Sequence, residues 1–217
     1  MIIDADIDPL KTTGELVGLK LRATNLTTVD PVLYTVPDVD ALPTTYPDGF
    51  SGASSISGNE QVAPVTENWI NQGSFELIGP LGVSSRTFPM LKTLSNSSDI
   101  LGERVVLGVG QTTALSYITN TGSIISSGYM GLGASVLHHA GRIEGGNVID
   151  LAVDSLVLAG TNSIETGGGL NITAKNLDAI AGGAISTPNL ITLNVSDKFV
   201  APAGNVLALA AAGVTLK

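Results

Sequence analysis

Apolar residues return at a fixed step along the second half of the chain. Ile124, Ile143, Ile164, Ile185 and Val206 form one column, separated by 19, 21, 21 and 21 residues. A second column, six residues further on in each unit, reads Met130, Ile149, Leu170, Ile191 and Ala212. A third, eight residues on, reads Leu132, Leu151, Ile172, Leu193 and Val214. Positions six and eight share parity, so in an extended segment they face one side, while Gly131, Asp150, Asn171, Thr192 and Gly213 between them face the other. Each unit thus predicts a short strand with one buried face. A repeat of about twenty residues built from such strands, with Gly and Asn at its turns, predicts an all-β parallel β-solenoid, whose coils bury their faces only by stacking on one another.

The period divides the chain into 1–65, 66–118 and 119–217. Main coils are predicted at roughly 119–138, 139–159, 160–180 and 181–201, with a last unit from 202 onward. Five coils at about 4.8 Å each make a rod on the order of 24 Å high. An earlier coil is predicted at 66–88, where Phe75 takes the first column and Leu81 and Val83 the positions six and eight later. The 49 residues from Phe75 to Ile124 exceed two coil lengths and contain two strand-like runs, Arg104 to Val109 and Thr113 to Thr119. Degenerate coils and a projecting hairpin both fit that stretch. Residues 1–65 do not share the period. Their best strand is Leu16 to Leu26, six prolines interrupt them, and Pro31 to Asn59 lack the apolar spacing for a core of their own, so an irregular arm or small β-region is expected. The last unit, AGNVLALAAAGVTLK, keeps the columns with no polar cap after them. Apolar columns and unpaired strand edges at such an end invite a covering partner, either a second copy or further chain.

Composition narrows the partners. The chain has a formal net charge of −9 and a pI of about 4.4, which argues against binding nucleic-acid phosphates or an anionic membrane. Only 13% of residues are charged against 43% hydrophobic, so polarity comes mainly from Ser, Thr, Asn and Gly. Cysteine is absent, which excludes a disulfide framework, a thiolate metal site and a cysteine nucleophile. The start, MIIDADIDPLKTTG, carries acid where a signal peptide has a basic region and an apolar run; with Met1 as the natural start, export by that route is not expected. The apolar run Val206 to Val214 is too short to span a bilayer as a helix.

Candidate chemistry is sparse. Glu76, Glu144 and Glu165 each follow a first-column residue and are expected on one outer face, with Ile125 and Ser186 at the same place in other coils. Two carboxyl groups about 5–10 Å apart serve glycoside hydrolysis, but a cleft also needs aromatic and field-shaping neighbours, and a solvated ladder is the expected reading. Asp4, Asp6, Asp8, Thr12 and Glu15 fall at EF-hand ligand positions, yet Pro9 stands where that loop needs glycine, so an acidic terminus is expected instead of calcium. His138 and His139, the only histidines, are placed at a coil corner on a turn surface, and without Cys or a carboxylate cluster they predict no metal site. Gly145–Gly146 and Gly167–Gly169 lack the Lys-Ser/Thr of a phosphate loop and are read as coil turns needing positive φ. The stretch GASVL at 133–137 lacks the second glycine of a nucleophile elbow. Asn162, Asn171 and Asn194 are expected as ladder or turn residues. No catalytic, cofactor-binding or metal residue is assigned.

The units NTGSIISSGYMGLGAS, AGRIEGGNVIDLAVDSLVLAG and NSIETGGGLNITAKNLDA resemble the repeats of filamentous-haemagglutinin-type proteins, with their pattern NxGxIxxGGxLxLxAxxLxN, over about 100 residues. The resemblance implies a right-handed parallel β-helix. It also implies very large secreted adhesins and toxin carriers, from which this chain departs by its length and its unrelated first segment. A short solenoid that needs a neighbour is similar in architecture to bacteriophage tail fibres, spikes and capsid decoration proteins. The expected function is therefore a non-enzymatic structural protein of a virion, assembled in the host cytoplasm. Its expected partners are its own copies, for instance in a trimer, and other particle proteins. The alternatives are a fragment of a secreted adhesin, with a glycan receptor, and a β-helical glycan-degrading enzyme.

Overall fold

The computed structural model describes residues 65–78, 83, 91–109, 115–200 and 204–217, together with three strands at 15–17, 22–28 and 32–35. In chain order the strands begin with β1 (Glu15–Val17), β2 (Arg22–Thr28), β3 (Val32–Thr35), β4 (Val65–Asn71), β5 (Phe75–Ile78) and β6 (Thr93–Asn96). There follow β7 (Asp99–Gly102), β8 (Val105–Leu107), β9 (Leu115–Asn120), β10 (Ser123–Ser126), β11 (Met130–His139), β12 (Arg142–Gly145) and β13 (Ile149–Leu158). The last are β14 (Ser163–Thr166), β15 (Leu170–Asp178), β16 (Gly183–Ser186), β17 (Leu190–Val200), β18 (Leu207–Ala210) and β19 (Gly213–Leu216). Every pairing is parallel. A short strand and a long strand alternate along the chain and build two sheets, ordered β1-β3-β5-β7-β10-β12-β14-β16-β18 and β19-β17-β15-β13-β11-β9-β6-β4-β2. This is the expected parallel β-solenoid, with about six turns between residues 68 and 216.

The predicted columns are its core. Ile100, Ile124, Ile143 and Ile164 stack in register on the short-strand sheet, all fully buried, with Phe75 above them and Ile185 below. On the long-strand sheet Met130, Ile149, Leu170 and Ile191 form one buried column, and Leu132, Leu151, Ile172 and Leu193 another. A further column, which the twenty-residue pattern does not single out, runs Trp69, Leu94, Ile118, Leu137, Leu156, Leu177 and Phe199. Trp69 meets Phe75 edge-on, with ring centroids 4.9 Å apart, and joins the two sheets through the core of that coil.

The described residues between Phe75 and Ile124 form coils of the solenoid and not a hairpin. β7 pairs β5 and β10, while β8 and β9 both lie against β11, under Met130–Leu132 and Ala134–His139 respectively. One long strand is thus split in two by the residues between Leu107 and Leu115, which stretches the step from Ile100 to Ile124 to 24 residues and hides the period. The other departure lies in the last unit. Ile185 pairs Leu209, not the predicted Val206, and Ile191 and Leu193 pair Val214 and Leu216, not Ala212 and Val214. The register shifts between Ala174 and Asn176, where β17 carries one extra residue, and the steps into the last unit lengthen to 24 from Ile185 to Leu209 and 23 from Ile191 to Val214, so a fixed step of 21 falls short of the true columns. Val206 itself is 76% exposed.

β1, β2 and β3 extend the two sheets beyond the first coil expected from the period. The rest of the predicted arm, including Asp4, Asp6, Asp8 and Thr12 and most of Pro31 to Asn59, lies outside the described residues, as does Leu81.

Candidate functional site

The outer face of the short-strand sheet carries the predicted carboxylates. Glu144 and Glu165 are register partners on β12 and β14, so their Cα atoms stand about 4.8 Å apart, one rung from the next. Glu76 does not join them, because Leu101 and Ile125 occupy the two rungs between. The Arg142 guanidinium pairs with the Glu144 carboxylate at the surface. Beside them runs an open groove of about 630 Å³, whose lining includes Glu144, Glu165, Thr166, Ser186, Thr187 and Pro188 and no aromatic side chain. Its threonines already serve the turns. The Thr166 hydroxyl donates to the Asn147 carbonyl and accepts from the Gly168 N–H at 3.2 Å, and the Thr187 hydroxyl does the same between the Gly168 carbonyl and the Asn189 N–H.

The glycines of these turns answer to space and not to backbone conformation. Gly145, Gly146 and Gly167–Gly169 do not have positive φ; among the described glycines that conformation belongs to Gly108, Gly160, Gly182, Gly183 and Gly204. A Cβ on Gly167 would come within 2.6 Å of the Gly146 carbonyl oxygen, and one on Gly146 would collide with the Ser127 carbonyl. At Gly146, Gly167 and Gly168 successive turns lie directly on one another, so a side chain has nowhere to go, whereas a Cβ on Gly169 would meet nothing closer than 3.9 Å.

On the opposite sheet the outward positions form a polar ladder. The Tyr129 hydroxyl donates to Asp150 Oδ2 at 2.8 Å, and Asn171 Nδ2 donates to Asp150 Oδ1 at 2.7 Å. Burial, and then the hydrogen bond to the Asp150 carboxylate, push the Tyr129 phenol up to about 12. The Arg104 guanidinium sits 5.4 Å from the centre of the Tyr129 ring. Asn171 therefore is a ladder residue as expected. Asn162 is buried at a turn, donating to the Gly182 carbonyl at 2.9 Å.

The largest buried polar feature was not singled out from the sequence. Asn71, Asn96, Asn120 and His139 stack in one column at the end of the long-strand sheet, each 0–1% exposed. Asn71 Nδ2 donates to Asn96 Oδ1 at 2.8 Å, Asn96 Nδ2 to Asn120 Oδ1 at 2.7 Å, and Asn120 Nδ2 to His139 Nδ1 at 3.2 Å. The second hydrogen of each amide reaches a backbone carbonyl of the next turn: Asp99 at 3.1 Å, Ser123 at 3.0 Å and Arg142 at 3.0 Å. His139 Nε2 repeats that bond to the Ser163 carbonyl at 2.9 Å. His139 is thus a core residue and not a turn-surface one, and His138, on the same strand, is half-buried with its Nδ1 shielded from solvent. A signal existed: each of the four stands four residues before a first-column residue, namely Phe75, Ile100, Ile124 and Ile143.

Among the described residues, the end of the solenoid at β17 to β19 exposes a cluster of apolar side chains. β18 and β19 terminate the two sheets, and each has a ladder neighbour on one side only. Phe199 is 52% exposed, Val214 42% and Leu216 68%, although each continues a column buried in the preceding coils. Leu193, Val195, Phe199, Leu209 and Leu216 line a groove of about 540 Å³ there, with Lys217 at its rim.

Among the described residues no three His, Cys, Asp or Glu side chains gather closely enough to hold a metal ion, and no helix is long and apolar enough to cross a membrane. Compared with protein-family models, with curated proteins and with solved structures, the chain gives no match in any of the three.

Proposed function

We propose that this chain is a non-enzymatic structural subunit of an assembled particle, a bacteriophage virion component of the capsid-decoration, fibre or spike kind. On this reading the solenoid supplies rigid surface and height, and its last rung is an assembly face. One observation carries the proposal: core columns continue onto the end of β17 and onto β19 and there meet solvent through Phe199, Val214 and Leu216. Exposed apolar columns flanked by unpaired strand edges are stabilised by a partner that covers both at once. A second copy is the partner proposed, in a closed oligomer such as a trimer. The buried polar groups support the same reading, because the asparagine, serine and threonine side chains inside the turns are spent on coil-to-coil bonds and make the rod stiff.

The test is the native mass of the full chain by light scattering over a concentration series. A discrete oligomer is expected, falling to monomer in the double variant Phe199→Glu/Leu216→Glu with its circular dichroism unchanged. A monomeric wild-type chain at every concentration that also fails to bind empty capsids overturns the proposal.

The adhesin reading keeps one observation in its favour, the resemblance of residues 119–217 to haemagglutinin-type repeats. It places further coils on β18 and β19 in place of a second copy. A transcript with more repeats of the same period after Lys217 would favour it.

A further inference from the structure

The asparagine column has a direction. Each amide donates toward the next coil and accepts from the previous one, from Asn71 through Asn96 to Asn120. Asn120 Oδ1 is taken by Asn96, so the amide must present Nδ2 to His139, and Nδ1 of the ring must accept. Nε2 faces the Ser163 carbonyl, which can only accept, so the ring proton sits there. The ladder therefore ends on a neutral imidazole with the proton on Nε2. A second proton on the ring would set an N–H donor against the Asn120 N–H donor. Turning the Asn120 amide over does not repair this, because its Nδ2 would then meet Asn96 Nδ2 and its oxygen would meet the Arg142 carbonyl.

We propose that His139 is an acid-sensitive joint of the solenoid: protonation breaks the polar ladder at its last member and loosens the coil ending at Asn120 from the coil ending at His139. Among the described residues no carboxylate faces the ring to offset the charge. The ring packs against Asn120 of β9, Leu158 of β13 and the backbone carbonyls of Ser163 on β14 and of Asn120. Of the ionisable side chains on these elements His138 adjoins it and would repel a cation. Tyr117, Arg142, Glu144, Asp150, Asp154 and Glu165 stand at outward positions. Burial lowers the affinity of the ring for a proton, against the smaller opposing effect of its hydrogen bonds. Since the folded value lies below the unfolded one, the stability tied to the neutral ring is fully present above the unfolded value of about 6.5 and is lost as pH falls toward the folded value.

Hydrogen exchange of the full chain at about pH 7.5 and pH 5.5, corrected for intrinsic rates, tests this in the range where histidine titrates and most carboxylates do not. In wild type the amides of 118–123 and 137–143 are expected to lose protection at the lower pH, by about tenfold for each unit of depression titrated. His139→Asn, which repeats the amide found in the three coils above, is expected to keep its protection, and His138→Gln to behave as wild type. Unchanged protection in wild type, or the same loss in His139→Asn, overturns the proposal. Should His139→Asn not fold, nitrogen chemical shifts of the wild-type imidazole decide alone. Nδ1 unprotonated at neutral pH, with the Asn120 side-chain amide signals moving as the ring titrates, supports the joint. A proton on Nδ1, or asparagine signals indifferent to the titration, overturns it.

Discussion

At Asn120 three separate groups depend on one amide: Asn96 Nδ2, His139 Nδ1 and the Arg142 carbonyl. Asn120→Ala leaves all three buried without that partner, and an unmet buried polar group costs about 1–3 kcal/mol, so a loss of about 2–4 kcal/mol is expected in denaturant unfolding. The apolar counterpart is Ile143→Ala, at the centre of the first column, where lost contacts and the cavity together cost about 2–5 kcal/mol. Glu144→Gln/Glu165→Gln is expected to change stability by less than about 0.5 kcal/mol, as substitutions at the surface do. The same variant checks the enzyme alternative: if wild type cleaves a polysaccharide and the variant does not, the structural reading fails. Tyr129 gives a further check. Its folded value is raised, so the stability it contributes is intact below about pH 10 and is lost as pH rises through about 12. Phenolate absorbance should show a titration step near that upper value in wild type that is lost in Tyr129→Phe.

Among the elements, the turns decide which residues are allowed. Gly146→Ala forces a Cβ into the Ser127 carbonyl and is expected to destabilise by about 2 kcal/mol or more, whereas Gly169→Ala meets nothing closer than 3.9 Å and is expected to be tolerated. Thermal unfolding of the two variants separates crowding from mere loss of glycine. The strands themselves were legible because their buried positions recur with a parity that only an extended backbone satisfies. Two elements resisted. β8 and β9 are halves of one long strand divided by intervening residues, and in β17 the extra residue near Val195 displaces every later partner. A column search assumes a constant step, and an insertion between rungs changes the step without disturbing the ladder.

For the whole molecule, stacking makes stability local. Each coil touches mainly its two neighbours, so the coils from β10 to β17 are covered on both sides while the rung of β18 and β19 is covered on one. Hydrogen exchange should accordingly show the strongest protection in 124–193 and the weakest in 207–216 when the chain is dilute. Protection of 207–216 should rise with protein concentration if a second copy covers that face. The sequence by itself determined the parallel solenoid, its short inward strands and the principal core columns, because burial through stacking leaves a one-dimensional repeat that spacing alone reveals. Only the tertiary structure decided that Leu209, Val214 and Leu216 are the final column members, that Glu76 stands apart from Glu144 and Glu165, and that His139 closes a buried amide ladder. Those facts depend on which residues lie one rung apart, and a rung joins positions 18 to 43 residues distant, a separation that varies from coil to coil.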